Sequence, residues 1–513
     1  MEQATSTRKE KTIHQVPLTR RDFIKTAAVS GAACMFGPAA VRAAGPFAAS
    51  VTRKPNFVII FIDDLGYSDI EPFGQKIIRT PNLNRMAAEG MKFTDFYSAA
   101  PVCTPSRAAL MTGCYPTRIT MAREDRRVLF HDDKCGLNPK EVTIAEILKN
   151  QGYATMCVGK WHLGHRPEFL PTRQGFDHYF GIPYSNDMEV DPEAPLADDV
   201  KLGEGLTPET FSSVRSKEGF VPLYYDEKLI EYPVDQTQIT KRYTEKSIKF
   251  IIKNKDRPFL LYLPHTMVHE PLYASEAFNG RSQGGHYGDC VEEVDWSVGQ
   301  ILDTLCKNGL AENTLVLFTS DNGHDGDDIP PLRGSKGSTY EGGMREPTLM
   351  WWPGTVCAGS VCKEVTSTID MLPTIAGLAG TGAPKDRVID GHDITALIMS
   401  VPGAKSKKDK VGFYYYNDTK LEAVRLGKWK LRKAANEPDA PVELYDLVQD
   451  IGEKNNLAEK EPAIVKRLMK MMQDFDRELW ANQRPCALEG GGESKVIPLR
   501  PCDAARRAVQ EKT

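Results

Sequence analysis

Four stretches of this chain share one pattern, and it restricts the class of fold more than any other feature: a short apolar run that stops abruptly at polar side chains. Asn56 to Ile62 gives way to Asp63-Asp64-Leu65-Gly66, and Tyr153 to Val158 to Gly159-Lys160-Trp161-His162-Leu163-Gly164. Pro258 to Leu263 runs into Pro264-His265-Thr266-Met267-Val268-His269-Glu270-Pro271, and Leu315 to Thr319 into Ser320-Asp321-Asn322-Gly323. Unbroken apolar runs of this length suit strands buried on both faces. Helical patterns lie between them, at Thr143 to Asn150, Lys241 to Asn254 and Val291 to Lys307. Strands alternating with helices predict a mostly parallel α/β sheet flanked by helices, whose ligands bind beyond the carboxyl ends of the strands. The four runs therefore aim carboxylates, lysines and histidines at one rim. Two adjacent carboxylates such as Asp63 and Asp64 repel each other and lose solvation there unless a cation joins them.

With 513 residues, 41% of them hydrophobic, the chain is long enough for one large domain and a smaller one. A formal charge of −4 leaves no footprint for nucleic acid. A catalytic domain is expected over 51–400, then a Pro-, Gly- and Lys-rich linker from Pro402 to Lys410. Strands are expected at Val411 to Tyr416, Glu422 to Leu426, Trp429 to Arg432 and Glu443 to Leu447, and a helix at Glu461 to Trp480. They make a C-terminal subdomain over 411–513, an antiparallel sheet plus a helix, with a loose tail from Gly490. At the other end, Thr19-Arg20-Arg21-Asp22-Phe23-Ile24-Lys25 precedes a weakly apolar run from Thr26 to Val41. This resembles a twin-arginine export signal over 1–44, with small residues at Ala43 and Ala44 for cleavage. The run is too short and too rich in Gly and Ala to span a membrane. Cys34 lacks the Leu three residues earlier that a lipid anchor calls for. The expected destination is the periplasm or the medium, reached already folded through the twin-arginine machinery.

Residues 101 to 115 read Pro-Val-Cys-Thr-Pro-Ser-Arg-Ala-Ala-Leu-Met-Thr-Gly-Cys-Tyr. Thr104 suits an N-cap and Pro105 a first helical position, so a short helix is expected over Ser106 to Met111, stopped at Gly113. Cys103 would then sit just outside a helix N-terminus with Arg107 folding back toward it. Such a place lowers a thiol's pKa and holds a sulfate or phosphate ester.

Cys103-Thr104-Pro105-Ser106-Arg107, followed by Leu110, Thr112 and Gly113, resembles the sulfatase signature, in which the Cys is oxidised to formylglycine. Asp63-Asp64-x-Gly66, Gly159 to Gly164, His269-x-Pro271, Asp321-Asn322-Gly323, Gly334-Ser335-Lys336 and Glu341 to Pro347 follow the sulfatase order. Gly181 to Ser185 and Glu341 to Trp352 look like the arylsulfatase A and N-acetylgalactosamine 6-sulfatase branch. The resemblance implies an alkaline-phosphatase-like fold and a sulfuric ester hydrolase acting on aryl or carbohydrate sulfates. It also implies maturation by a formylglycine-generating enzyme. Ser335 departs from the branch, whose members often carry a Cys there, so a disulfide made by those relatives is not expected. With Cys34 and Cys103 set aside, nine of the eleven cysteines remain and at least one stays free. Cys357 with Cys362, and Cys486 with Cys502, are near in sequence and the first pairs to test, although spacing alone does not fix connectivity.

Asp63, Asp64, Asp321 and Asn322 offer only oxygen ligands, which selects a hard cation, Ca²⁺ first and Mg²⁺ second. By resemblance, residue 103 is the nucleophile beside that ion and Asp321 helps deprotonate it. Arg107 and Lys160 hold the hydrated aldehyde, and His162 takes a proton from its second hydroxyl. His269 and Lys336 neutralise the sulfate, and Ser185 hydrogen-bonds it. His265 competes with His269, which is preferred because Pro271 follows it at the family's spacing. Two other readings stay open: a phosphonate monoester or phosphodiester hydrolase using the same modified residue, and a non-catalytic binder of sulfated glycans in which Cys103 remains a thiol.

Overall fold

The computed structural model describes residues 53–214, 217–434 and 440–494. The export signal, Cys34 and Cys502 lie outside them. The first apolar run forms β1 (Asn56–Ile62), buried along its whole length. Phe57, Ile59 and Phe61 join one hydrophobic cluster, and Val58, Ile60 and Ile62 join another. Side chains alternate across a strand, so a run that is apolar at every position needs cover on both faces. That cover is helical. α1 (Cys103–Thr112) and α2 (Ile144–Asn150) feed the first cluster, and α3 (Ile239–Lys253) and α4 (Gly285–Lys307) the second. Each fully buried Ile, Leu or Phe contributes roughly 1.5–3 kcal/mol, so these two layers are the main favourable contribution to folding.

In chain order the other strands that frame the site are β2 (Met91–Phe93), β3 (Ala154–Val158), β4 (His178–Gly181), β5 (Leu223–Tyr225), β6 (Phe259–Pro264), β7 (Thr314–Ser320) and β8 (Thr348–Trp351). Among the described residues the large sheet has eleven strands; its middle runs β2-β8-β7-β1-β6-β3-β4-β5. From β7 to β4 neighbouring strands are parallel, whereas β8 and β5 are antiparallel to their inner neighbours. Ile62 pairs with Ser320 and Phe61 with Pro264, so β1, β6 and β7 end level. Residues 63, 265 and 321 leave the sheet side by side.

α2 starts at a full capping box: Thr143 accepts from Glu146 N, and the Glu146 carboxylate accepts from Thr143 N. α1 departs from expectation. It begins at Cys103, with extended Val102 as its N-cap, and Thr104 instead accepts a hydrogen bond from Leu129 N at 3.1 Å. Its end is as expected, with Gly113 in the left-handed region at φ 69°.

The C-terminal strands are β9 (Phe413–Asn417), β10 (Lys420–Leu426), β11 (Trp429–Arg432) and β12 (Glu443–Asp446), a continuous antiparallel sheet with α5 (Pro462–Ala481) packed on it. Their core is shared with Tyr97, Ala109, Tyr115 and Met344 from the first part of the chain. A buried ionic cluster also crosses this boundary: Lys430 lies 2.9 Å from Glu341 and 2.8 Å from Glu453, all fully buried. Arg345 reaches Glu341 at 3.2 Å. Deleting one partner of such a cluster strands a buried charge. Lys430→Met is therefore expected to lower unfolding stability by about 3–5 kcal/mol, read from the urea midpoint. Adding Glu453→Gln should restore part of the loss, and a neutral Lys430→Met would show that the cluster holds nothing together.

Cys357 and Cys362 are both free, so the first of the two candidate pairs is not a disulfide, and the second, Cys486 with Cys502, reaches outside the described residues. No helix among the described residues is long and apolar enough to cross a membrane.

Candidate active site

The loops leaving β1, β3, β6 and β7 converge with α1 on one pocket, and the backbone there leaves little freedom. After β3, Gly159 turns at φ 134° so close to β6 that a Cβ would lie 1.8 Å from the Pro264 carbonyl. Lys160 N then donates to that same carbonyl at 2.8 Å, which fixes where the lysine side chain starts. Gly323, after β7, is pressed against the Gly342 carbonyl in the same way, with 1.8 Å left for a Cβ. The Asp321-Asn322-Gly323 turn is thereby seated directly against Glu341-Gly342-Gly343.

Asp63 and Asp64 leave β1 with Asp64 in the left-handed region at φ 58°. Asp63 accepts from Lys160 Nζ at 2.6 Å and lies 3.2 Å from Arg107 Nη2. Arg107 also holds Asp321 at 2.6 Å and donates to the Lys160 carbonyl at 3.0 Å. Asp64 pairs with Lys336 at 2.6 Å, and the Asn322 amide donates to it at 2.7 Å. Cys103 Sγ lies 3.6 Å from Asp63 Oδ1. Lys160 Nζ also donates to Ser185 Oγ at 3.0 Å, and His269 Nε2 lies 3.4 Å from that hydroxyl and 3.7 Å from Asp64. Asp63, Asp64, Cys103, Arg107, Lys160, Asp321 and Asn322 are all essentially inaccessible, while Lys336 and His269 keep partial exposure at the mouth.

Burial by itself would raise the Asp63 pKa, but the charges on Lys160 and Arg107 hold it well below the usual carboxylate range. Asp321 goes the other way: burial pushes it up to about 7 against the pull of Arg107, and Asp63 and Asp64 add to the rise. One guanidinium shared between two buried carboxylates does not keep both ionised. Burial also pushes the Cys103 thiol up, with Lys160 opposing, so the thiol is not acidified as its place at a helix start suggested. Full desolvation outweighs the few N–H dipoles of a helix end.

His162 lies in the left-handed region at φ 61°, and its Nε2 is 2.7 Å from the Leu129 carbonyl. Burial and the charges of Lys160 and Arg107 keep the ring neutral. With Nε2 donating, Nδ1 is the free acceptor, and it has no partner. His265 belongs elsewhere: it is fully buried beneath Tyr243 and Ser297, and burial lowers its pKa to about 3. Of the two histidines after β6, His269 alone joins the cluster.

The residues fit a hard divalent ion. Asp63, Cys103 and Asp321 offer ligand atoms within 4.8 Å of one another, as do Asp64, Cys103 and His269. Asn322 Oδ1 is buried without a partner, an acceptor left over for a cation. Three carboxylates face Arg107, Lys160 and Lys336, so the pocket is near neutral alone and strongly positive with a divalent ion, which suits an anionic substrate.

Behind these groups lies a second layer whose place there no motif in the sequence marks. The Phe61 ring lies 5.7 Å from the Arg107 guanidinium, and Tyr262 is buried near it. Glu346, hydrogen-bonded by Ser98 at 3.0 Å, is pushed well up by burial and sits near enough to feel Asp321 and Asp64. In an apolar run Phe61 and Tyr262 carry no mark beyond that of core residues.

The sulfatase family model matches residues 55–381, and that of the N-sulphoglucosamine sulphohydrolase C-terminal region matches 335–478. N-acetylgalactosamine-6-sulfatase of Canis lupus familiaris is 40% identical over 405 residues, covering 76% of this chain and 73% of the relative. Human arylsulfatase A is 38% identical over 447 residues, 80% of this chain and 84% of the relative. The crystal structure of Ps i-CgsB in complex with k-i-k-neocarrahexaose superposes with a TM-score of 0.73 at 29% identity, covering 90% of this chain and 98% of that one. The fold is alkaline-phosphatase-like, with a mostly parallel sheet between helices and a smaller antiparallel sheet. A match over most of the chain, with the motif residues gathered in one buried pocket, means that the chain belongs to the sulfatase family and is an enzyme of the sulfatase type.

Proposed function

We propose that this enzyme hydrolyses sulfate esters of carbohydrates, using residue 103 after oxidation of its Cys to formylglycine and a Ca²⁺ or Mg²⁺ ion held by Asp63, Asp64, Asp321 and Asn322. The observation that carries the reading is the convergence of Cys103, three carboxylates and three fixed cations in a single desolvated pocket. A divalent ion bound there supplies charge neutralisation for the oxygens and acidifies a hydroxyl at position 103.

The chain's own groups do the rest. Lys160 and Lys336 present ammonium groups to the sulfate oxygens, and low local dielectric strengthens both. Arg107 holds Asp63 and Asp321 in place and offsets their charge. Neutral His162, with Nδ1 free, accepts a proton from the hydrated residue 103. His269, at the mouth and linked to Lys160 through Ser185, is placed to give a proton to the leaving alcohol oxygen. Ser185 itself donates to the sulfate. A carbohydrate ester is preferred to an aryl one because N-acetylgalactosamine-6-sulfatase and the carrahexaose complex are among the proteins this chain is similar to. Export through the twin-arginine pathway belongs to the same reading, on the strength of Arg20-Arg21 and the apolar run after them.

The test is turnover of nitrophenyl sulfate against nitrophenyl phosphonate by metal-replete protein, followed by a panel of sulfated mono- and oligosaccharides. The sulfate ester should be the faster of the two. Phosphonate cleavage more than tenfold faster would replace this reading with the phosphonate hydrolase. Native protein in which residue 103 has the intact mass of Cys and which binds sulfated glycans without turning them over would leave only the binder.

A further inference from the structure

We propose that a basic pocket at the opposite rim of the sheet binds a sulfated polysaccharide chain without cleaving it. The pocket, a cavity of about 440 Å³, lies where α3 ends and β6 begins, and none of its lining residues belongs to the catalytic cluster. Lys246, Lys249 and Lys253 line it from α3, Arg257 from the turn that follows, and Met156 and Phe250 are apolar residues within it. Seven residues of helix at 1.5 Å each spread the three lysines over ~10 Å, longer than one sulfate and suited to charges repeated along a chain.

Arg257 donates to the Asn254 side chain at 2.9 Å, while the lysines carry no ion pair: among the described residues, Lys246, Lys249 and Lys253 have no carboxylate at ion-pair distance. The pocket's own acid, Asp177, is already paired with Lys149 at 3.0 Å, and the nearby Asp226 faces His178 at 3.4 Å. Lys246 lies over the rings of Tyr225 at 4.1 Å and Phe180 at 5.0 Å, which holds its ammonium at the pocket. Burial pulls the Lys246 pKa down, Asp226 partly opposes this, and Lys249 and Lys253 add to the fall. Three like charges held together in a chain of net charge −4 are relieved by an incoming polyanion.

The choice of a sulfated glycan rests on the proposed function, but binding needs no turnover, and the experiment separates the two. Full-length protein with unconverted Cys103 is titrated with a heparin hexasaccharide, its desulfated counterpart and a single-stranded DNA oligomer, at two salt concentrations. The sulfated hexasaccharide should bind best. Replacing Lys246, Lys249 and Lys253 together by Gln should weaken it at least tenfold and flatten the salt dependence. Because Lys246 is half-buried, a second variant, Lys249→Glu with Lys253→Glu, changes only exposed positions and should weaken binding by a similar factor. Nitrophenyl sulfate turnover by the converted variants should stay within twofold of the parent. Unchanged affinity in the second variant, equal binding of the desulfated sugar, or tighter binding of DNA would each overturn the proposal. Loss of sulfate ester turnover in the parent itself would overturn the proposed function and leave the binding result standing.

Discussion

Cys103→Ala is expected to lower kcat for nitrophenyl sulfate by at least ~10⁴-fold while the protein stays folded, because the proposed nucleophile goes and almost no packing does. The side chain is small, lies at the first turn of α1, and makes one weak polar contact, to Asp63. Circular dichroism and the urea midpoint should therefore be close to those of the parent. Cys103→Ser separates the nucleophile from its chemistry. A serine hydroxyl can attack sulfur and expel the alcohol, but it carries no second hydroxyl through which the sulfate could leave. Intact mass after incubation with substrate should show one sulfo group retained and no further turnover. A Cys103→Ala protein with more than a tenth of the parental kcat would end the assignment of residue 103. Unconverted protein supplies a companion result: its thiol, raised by burial, should be alkylated by iodoacetamide far more slowly than a free cysteine.

Removing the proposed divalent ion is expected to have the second largest effect. Dialysis against a chelator should lower kcat at least ~100-fold, and Ca²⁺ or Mg²⁺ should restore it. Stability should fall as well, because an ion that binds the folded state alone contributes about 2.7 kcal/mol at a concentration one hundred times its Kd. The physical ground is the carboxylate cluster. Without added positive charge, burial together with Asp63 and Asp64 raises the Asp321 pKa to about 7 even though Arg107 lies 2.6 Å away. Asp321→Asn removes one ligand charge and frees Arg107 for Asp63 alone. The expected result is weaker ion binding, read as a higher metal concentration for half-maximal activity, with little loss of stability in metal-free protein. Full activity after exhaustive chelation, with no metal by elemental analysis, would remove the ion from the mechanism.

Much of the site was legible because the four apolar runs are local signals. β1 occupies the expected residues, and β3, β6 and β7 match expectation to within one residue at each end. Once those strands are parallel and end level, Asp63, Lys160, His269 and Asp321 are bound to leave the same rim. His265 could be set aside on the spacing of Pro271, and its burial under Tyr243 and Ser297 agrees. The misses are of one physical kind. Thr104 has every local property of an N-cap, yet its hydroxyl is taken by Leu129 N, twenty-five residues away. Cys103 has the local setting of an acidic thiol, but desolvation depends on what is packed over it. Cys357 and Cys362 are near in sequence and remain unpaired in the fold.

The chain by itself determined where the four central strands and the helices between them lie, that the sheet would be mostly parallel, and which side chains would gather at its rim, since hydrophobic period and turn residues act over short range; the short flanking strands β2, β4, β5 and β8 carry no such local signal. Only the tertiary structure decided how charge is distributed there: Arg107 shared between two carboxylates, Lys336 committed to Asp64, three lysines left unpaired on the far rim. Pair energies and pKa values depend on distance and burial, and both are set by residues hundreds of positions apart.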